Sequence, residues 1–260
     1  MHKYILLIFV FNFLLHPVCA MTVSGNVEKN GTFNSNRIID SDTNFPVPDV
    51  KIELPKQNYT TFTDNQGAFA LNTDIDDNTI MSVEKDGYKP YSLTLNKNSA
   101  SHPLVIGIEK TNANHIQISN DLIHLGDDNY SDTSANAGDF KTDSVGASAT
   151  KKFKMAADVL SRANYLVIGS IVGIDTMLAR TMGQNRIKSA YSSPPEVFFN
   201  GKKIAEIQLN GDGQRVKIPP QLIKPGQINE ITIRTGRNLA QRSYIDYDDI
   251  ELMNLSVTSE

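Results

Sequence analysis

The chain of 260 residues has no tryptophan and a single cysteine, Cys19. Cys19 lies beside a predicted cleavage point after Ala20, so we expect the mature chain to have no cysteine. Such a chain has no disulfide, no thiol nucleophile and no thiolate ligand for a metal. Its stability then depends on packed cores, and this length is sufficient for one or two domains that could form them.

Residues 1–20 have the pattern of a signal peptide. Lys3 supplies the positive start, residues 4–15 are almost wholly apolar, and small residues precede the cut after Ala20. The apolar run is shorter than the roughly 20 residues that a membrane-spanning helix needs. We therefore expect secretion to a periplasmic or extracellular location. Lipidation of Cys19 is the alternative.

The chain also lacks an excess of basic residues. It has 25 Lys and Arg against 29 Asp and Glu, which gives a formal net charge of −4. This balance argues against nucleic acid and anionic membrane surfaces as main partners. The most apolar later stretch, residues 163–179, is interrupted by Asp175 and too short to span a membrane. We predict a buried strand there and no membrane span in the mature chain.

Residues 21–110 are predicted to form an all-β sandwich, because short apolar runs alternate with clusters of Asn, Asp, Gly and Pro. Four motifs occur in a characteristic order, at residues 24–27, 46–54, 60–71 and 85–90. In this order they resemble the carboxypeptidase regulatory-like domain, a small transthyretin-like β-sandwich. The resemblance implies a structural or interaction module. A peptidase is not expected, because the chain has no His-Glu-x-x-His spacing.

Residues 111–119 are polar and rich in Asn, and we interpret them as a linker. Residues 120–260 then return to strand and hairpin patterns. Asn200-Gly201 between two apolar runs is the strongest hairpin signal in the chain, and Pro225-Gly226 marks another turn.

This second half resembles the galactose-binding-like jelly roll, the β-sandwich of many carbohydrate-binding modules and lectin-like domains. The likeness is carried by residues 124–128, Asn136 and residues 200–202, 222–226 and 247–254. An insertion at residues 173–196 departs from the family pattern. The predicted fold is therefore all-β, with a transthyretin-like sandwich followed by a jelly roll.

The second resemblance also implies a structural calcium ion where the loop after the first strand meets the last strand. Calcium takes about six to eight oxygen ligands. The candidate ligands are Asp127, Asp128, Asn136, Asp249 and Glu251. Two of them, Asp249 and Glu251, are two positions apart and would share one face of a strand. The alternative is that these acids are solvated or cap turns.

Sugar binding normally uses an aromatic surface and a few polar groups that fix the hydroxyls. The absence of tryptophan argues against flat stacking on a crystalline polysaccharide. Tyrosines and polar residues remain available as contacts: Asn129, Tyr130, Tyr191, Arg242, Tyr244 and Asp246. The alternative is that the tyrosines belong to the core or to an interface.

Catalytic patterns are missing. No Gly-x-Ser-x-Gly elbow is present, and residues 146–150 end without the second glycine. Asp248 and Asp249 are adjacent, so on a strand they would point to opposite faces rather than across a cleft. We expect a secreted, non-catalytic protein that binds carbohydrate through its jelly roll. The alternative is a structural or adhesive module that contacts proteins at the cell surface.

Overall fold

The computed structural model describes residues 35–75, 78–128, 140, 142–173, 194–235 and 249–260. These residues belong to one compact unit, Phe33–Glu260. They form strands joined by turns and short helices, so the prediction of an all-β sandwich fold is confirmed. In the described part of the chain, no helix has both the length and the apolar character needed to cross a membrane.

The first seven strands form two sheets, which together we call the N-terminal sandwich. The strands are β1 (Asn36–Asp40), β2 (Lys51–Leu54), β3 (Tyr59–Phe62), β4 (Ala68–Phe69), β5 (Thr79–Glu84), β6 (Tyr91–Leu95) and β7 (Val105–Ile108). One sheet has the order β4-β1-β7 and the other β3-β2-β5-β6. A short helix, α1 (Lys97–Ala100), precedes β7. Alternate apolar side chains, such as those of Ile52 and Leu54, fill the core between the sheets.

The remaining nine strands form what we call the C-terminal sandwich. They are β8 (His115–Ser119), β9 (Ile123–Leu125), β10 (Ser148–Lys154), β11 (Asn164–Gly173), β12 (Glu196–Phe199), β13 (Lys202–Glu206), β14 (Gly211–Ile218), β15 (Ile228–Arg234) and β16 (Ile250–Ser259). One sheet has the order β14-β11-β16-β8, with β9 also paired to β16, and the other has the order β10-β15-β12-β13. A second core, which includes Leu166, Phe199 and Leu252, lies in this sandwich.

Local turn chemistry matches the sequence predictions in this half. Asn200 and Gly201 both have positive φ, at 47° and 78°, and join β12 to β13 as a tight hairpin. The apolar stretch predicted as a buried strand contains β11. The segment predicted as a linker differs, since His115–Ser119 forms β8 and pairs with β16. Ile116 and Ile118 pack against the C-terminal core, so pairing with the last strand extends the sheet into this polar segment.

The N-terminal sandwich covers the outer face of the sheet that contains β11 and β16. Thr94 of β6 donates to the Asp212 carboxylate of β14 through its backbone N–H, at 3.0 and 3.1 Å, and through its hydroxyl, at 2.8 Å. Ser92, also on β6, is buried against Gly169 of β11. Because of this cover, most side chains of β11 and β16 are buried on both faces of the sheet.

Gly169→Ala tests this packing. A Cβ at Gly169 would lie 2.4 Å from Ser92 Oγ of the N-terminal sandwich and 2.6 Å from Asn254 Cβ of the paired strand β16, so both neighbours would have to shift. We expect a loss of about 1–3 kcal/mol in the free energy of unfolding, measured by denaturant titration. Adding Ser92→Gly should recover part of the loss. Wild-type stability of Gly169→Ala would show that the layers are not in close contact.

Candidate functional site

Three strands meet at one end of the first C-terminal sheet. Leu125 ends β9, Gly173 ends β11, and both pair with Ile250, the first residue of β16. The chain therefore leaves β9 and β11 and enters β16 at the same end of this sheet.

The second sheet has the same arrangement at its neighbouring end. Ser148 begins β10, Glu196 begins β12, and both pair with Arg234, the last residue of β15. The Val145 N–H donates to the carbonyl oxygen of His124, which brings the two ends together. Three long connections, residues 126–147, 174–195 and 235–249, therefore begin and end at this end of the C-terminal sandwich. We call it the loop end.

A buried histidine ties the first connection to the last strand. His124 lies on β9 opposite Glu251 of β16. Its Nε2 lies 3.0 Å from Asp249 Oδ1, and its Nδ1 contacts the carbonyl oxygen of Thr142. Both partners offer acceptor oxygens, so the positively charged form of the ring, with a proton on each nitrogen, satisfies both contacts. His124 and Asp249 are 2% and 0% exposed, which keeps the pair away from solvent.

The loop after β9 folds back onto the same carboxylate. The Asp128 N–H donates to Asp249 Oδ1 at 3.1 Å, and the Asp128 carboxylate accepts the Ser144 N–H at 3.1 and 3.2 Å. Gly126, at φ 151°, allows this approach, because a Cβ there would lie 2.1 Å from Asp249 Oδ1. Asp249 therefore fixes the start of the loop.

A second acid of β16 pairs with a lysine from the other sandwich. Lys56 Nζ lies 2.6 Å from Glu251 Oε2, and both side chains are almost fully buried. The contact is therefore a buried ion pair. Lys56 Nζ also lies 4.8 Å from the centroid of the Phe140 ring, a cation–π distance. The Phe140 ring packs in turn on His124, with centroids 4.9 Å apart.

The electrostatics of this cluster follow from burial and pairing. Burial lowers the pKa of His124, but the hydrogen bonds to Asp249 and to the Thr142 carbonyl outweigh it, so the pKa lies above its ordinary value. Burial raises the pKa of Glu251, and the Lys56 ammonium opposes this rise without cancelling it. The cluster therefore contains two acids, Asp249 and Glu251, and two bases, His124 and Lys56. The pKa values of His124 and Glu251 depend on their charged partners.

A further ion pair lies at the base of the second connection. Lys203 Nζ lies 2.6 Å from Glu196 Oε1, and the Arg234 guanidinium contacts Glu196 Oε2. The hydrogen bond from Lys203 is the main cause that lowers the pKa of Glu196 to about 2. Glu196 thus joins β12, β13 and β15 at the loop end.

The predicted calcium ligands are only partly brought together. Asp128, Asp249 and Glu251 lie near His124, whereas Asp127 is exposed and Asn136 lies outside the described residues. Among the described residues, His124, Asp128 and Asp249 each place one ligand atom within 4.8 Å of the other two.

These groups do not fit calcium well. Asp249 Oδ1 already accepts two protein donors, and Glu251 Oε2 faces Lys56. Within the described residues, Asp249 Oδ2 and Glu251 Oε2 are buried without a hydrogen-bond donor, and Lys56 already faces the second, whereas calcium needs about six oxygens. Calcium binding stays a prediction.

The predicted sugar contacts all lie outside the described residues. They are Asn129, Tyr130, Tyr191, Arg242, Tyr244 and Asp246. In the sequence, each of them falls within one of the three connections of the loop end.

Sequence reasoning did not assign a role to His124 or Lys56. His124 lies in a motif that carried the jelly-roll resemblance, and a buried strand position beside acids was the available signal. Nothing local in the sequence predicts that Lys56 reaches Glu251.

No protein-family model and no curated protein matches this sequence. Solved structures with some similarity include a β-glucuronidase from Ruminococcus gnavus, at 12% identity and a TM-score of 0.31, covering 57% of this chain and 30% of that enzyme. A SUMO E3 ligase from S. cerevisiae has 18% identity and a TM-score of 0.25, with 58% and 52% covered.

A proposed carbohydrate-binding protein from Bacteroides uniformis has 13% identity and a TM-score of 0.19, with 86% of this chain and 97% of that chain covered. This chain spans under a third of the glucuronidase, at 30% of its length. Similarities of this size carry no argument about function.

Gly126→Ala tests the close approach of the loop to Asp249. The added Cβ would collide with the carboxylate at a φ that side chains rarely adopt. We expect a loss of about 2–5 kcal/mol in the free energy of unfolding, measured with a denaturant. Gly146→Ala is the matched control, because Gly146 also has a positive φ of 105° but no atom within 4 Å of its Cβ. Equal losses in the two variants would contradict the contact with Asp249.

The raised pKa of His124 predicts how the free energy of unfolding changes with pH. A base whose pKa is higher in the folded than in the unfolded state stabilises the fold. This stabilisation is complete below the unfolded pKa, 6.5, and is lost as the pH rises through the folded pKa. The difference in unfolding free energy between wild type and His124→Gln should therefore shrink as the pH rises from below 6.5 through the folded pKa. His102→Gln, at an exposed histidine, is the control. A difference that grows with pH would oppose this assignment.

Proposed function

We propose that this chain is a secreted, non-catalytic binding protein whose C-terminal sandwich binds carbohydrate at the loop end. The loop end is the observation that carries the proposal. The described ends of three long connections meet there, and these connections contain all six residues that the sequence analysis selected as sugar contacts. A jelly roll of the galactose-binding-like type, as the sequence resemblance suggests, would use such loops for recognition.

The residue types on these connections suit a sugar. Three tyrosines offer apolar ring faces, and the side chains of Asn129, Arg242 and Asp246 offer hydrogen bonds to hydroxyl groups. This composition favours single sugars or chain ends over flat polymer surfaces, which are usually bound by rows of larger aromatic rings.

The anchors at the base of the connections support the same function. The His124–Asp249 contact holds the first and third connections, and Glu196 joins the strands that flank the second and third. Because ordering flexible loops reduces binding affinity, ends that are already fixed lower the cost of recognition. The N-terminal sandwich, proposed to be of the carboxypeptidase regulatory-like type, adds a further contact at these anchors, the ion pair of Lys56 with Glu251.

An adhesive role at the cell surface is the second candidate. The observation in its favour is that the N-terminal sandwich exposes two phenylalanine side chains, Phe45 at 71% and Phe62 at 59%. Exposed aromatic residues are enriched at protein interfaces, although single exposed apolar residues also occur on ordinary surfaces.

Glycan-array screening of residues 21–260, followed by calorimetry with the best glycan, tests the proposal. The double variant Tyr244→Ala/Asp246→Ala should weaken binding by about tenfold or more, the equivalent of one lost contact of 1.4 kcal/mol. Asp86→Ala, at an exposed turn of the N-terminal sandwich, should leave affinity unchanged.

No glycan binding by the folded wild type, or equal affinity of the double variant, would contradict carbohydrate recognition at the loop end. Concentration-dependent self-association together with an empty glycan array would favour the adhesive role.

A further inference from the structure

Lys56 is a buried lysine with an unusual position. It lies in the single 3₁₀ turn Pro55–Gln57 between β2 and β3, and its side chain is 1% exposed. Asn58, at φ 48°, ends the turn and returns the chain into β3. The turn therefore projects Lys56 out of its own sandwich and onto β16.

The buried acids at the loop end, of which Lys56 contacts Glu251, require a cation or a proton. Asp249 and Glu251 are both 0% exposed. A buried carboxylate without a partner is strongly unfavourable, so such groups are paired with a base, bound to a metal or protonated. A metal ion is one way to meet this need.

In this chain each of the two buried acids already contacts a base among the described residues. His124 contacts Asp249 at 3.0 Å, and Lys56 contacts Glu251 at 2.6 Å. The other neighbours are neutral or carry one more negative charge: the Phe140 ring, the Thr142 hydroxyl at 3.4 Å from Glu251, and the half-exposed Asp128 carboxylate. Two buried acids thus face two bases.

We propose that Lys56 is the resident cation of the loop end, in place of a metal ion. It is supplied by the N-terminal sandwich, so the Glu251 carboxylate of the C-terminal sandwich is neutralised only while the two sandwiches are in contact. A divalent ion at this position would be repelled by the Lys56 ammonium and would have to displace it from Glu251. The inference does not depend on which ligand the loop end binds.

The first test is metal dependence of the full chain. Thermal unfolding of the wild type is measured in EDTA, in CaCl₂ and in ZnCl₂, the last because His124, Asp128 and Asp249 combine nitrogen and oxygen donors. We expect the same unfolding temperature in all three, and no saturable heat in calorimetric titration with either metal. A rise in unfolding temperature with a stoichiometric titration would overturn the proposal, because the resident cation would then be a metal.

The second test removes the cation. Lys56→Met keeps the aliphatic stem but leaves Glu251 buried without a partner, and we expect the unfolding temperature to fall by about 6–20 °C. Lys51→Met is the matched control, since the Lys51–Glu53 pair has a similar distance of 2.7 Å but side chains 40% and 32% exposed. We expect little change there, because exposed ion pairs contribute little.

The double variant Lys56→Met/Glu251→Met separates charge pairing from packing. It removes both charges, so it should recover most of the loss seen in Lys56→Met. An additive loss in the double variant would contradict the pairing. If Lys56→Met does not fold, Glu251→Gln replaces it in the same comparison, and the wild-type metal titration decides the proposal by itself.

Discussion

The buried contact between Lys56 and Glu251 is the interaction on which the arrangement of the loop end depends. It joins two sandwiches whose strands lie far apart in the sequence, and it places a positive charge beside the first acid of the last strand. Because a buried charged acid without a partner is so unfavourable, Glu251 can stay inside as a carboxylate only while Lys56 is docked. The docking of the N-terminal sandwich and the neutralisation of Glu251 at the loop end therefore depend on the same contact.

The packing of the two sandwiches satisfies a second constraint. The outer face of the sheet around β11 and β16 has small and polar residues, including Gly169, Ser170 and Asn254, that would pack poorly as an ordinary core. Covering them requires close approach, and Thr94 and Asp212 add hydrogen bonds at the exposed edge of the contact.

The sequence predicts local features of this fold better than long-range ones. The Asn200-Gly201 hairpin and the buried strand β11 follow from turn chemistry and apolar runs. The meeting of the first loop with the last strand was expected from the jelly-roll resemblance, and Asp128 does reach Asp249. The start of β8 was missed, because its polar residues resemble a linker. Lys56 could not be assigned, since its turn has no pattern that identifies a partner in a different sandwich.

A crystal structure of the full chain, grown with calcium and recorded to high resolution, tests the central claim most directly. The account predicts the Lys56 ammonium against the Glu251 carboxylate, the His124 ring between Asp249 and the Thr142 carbonyl, and no metal density between the acids. A calcium ion coordinated by Asp128 and Asp249, with the Lys56 side chain turned away from Glu251, would contradict it.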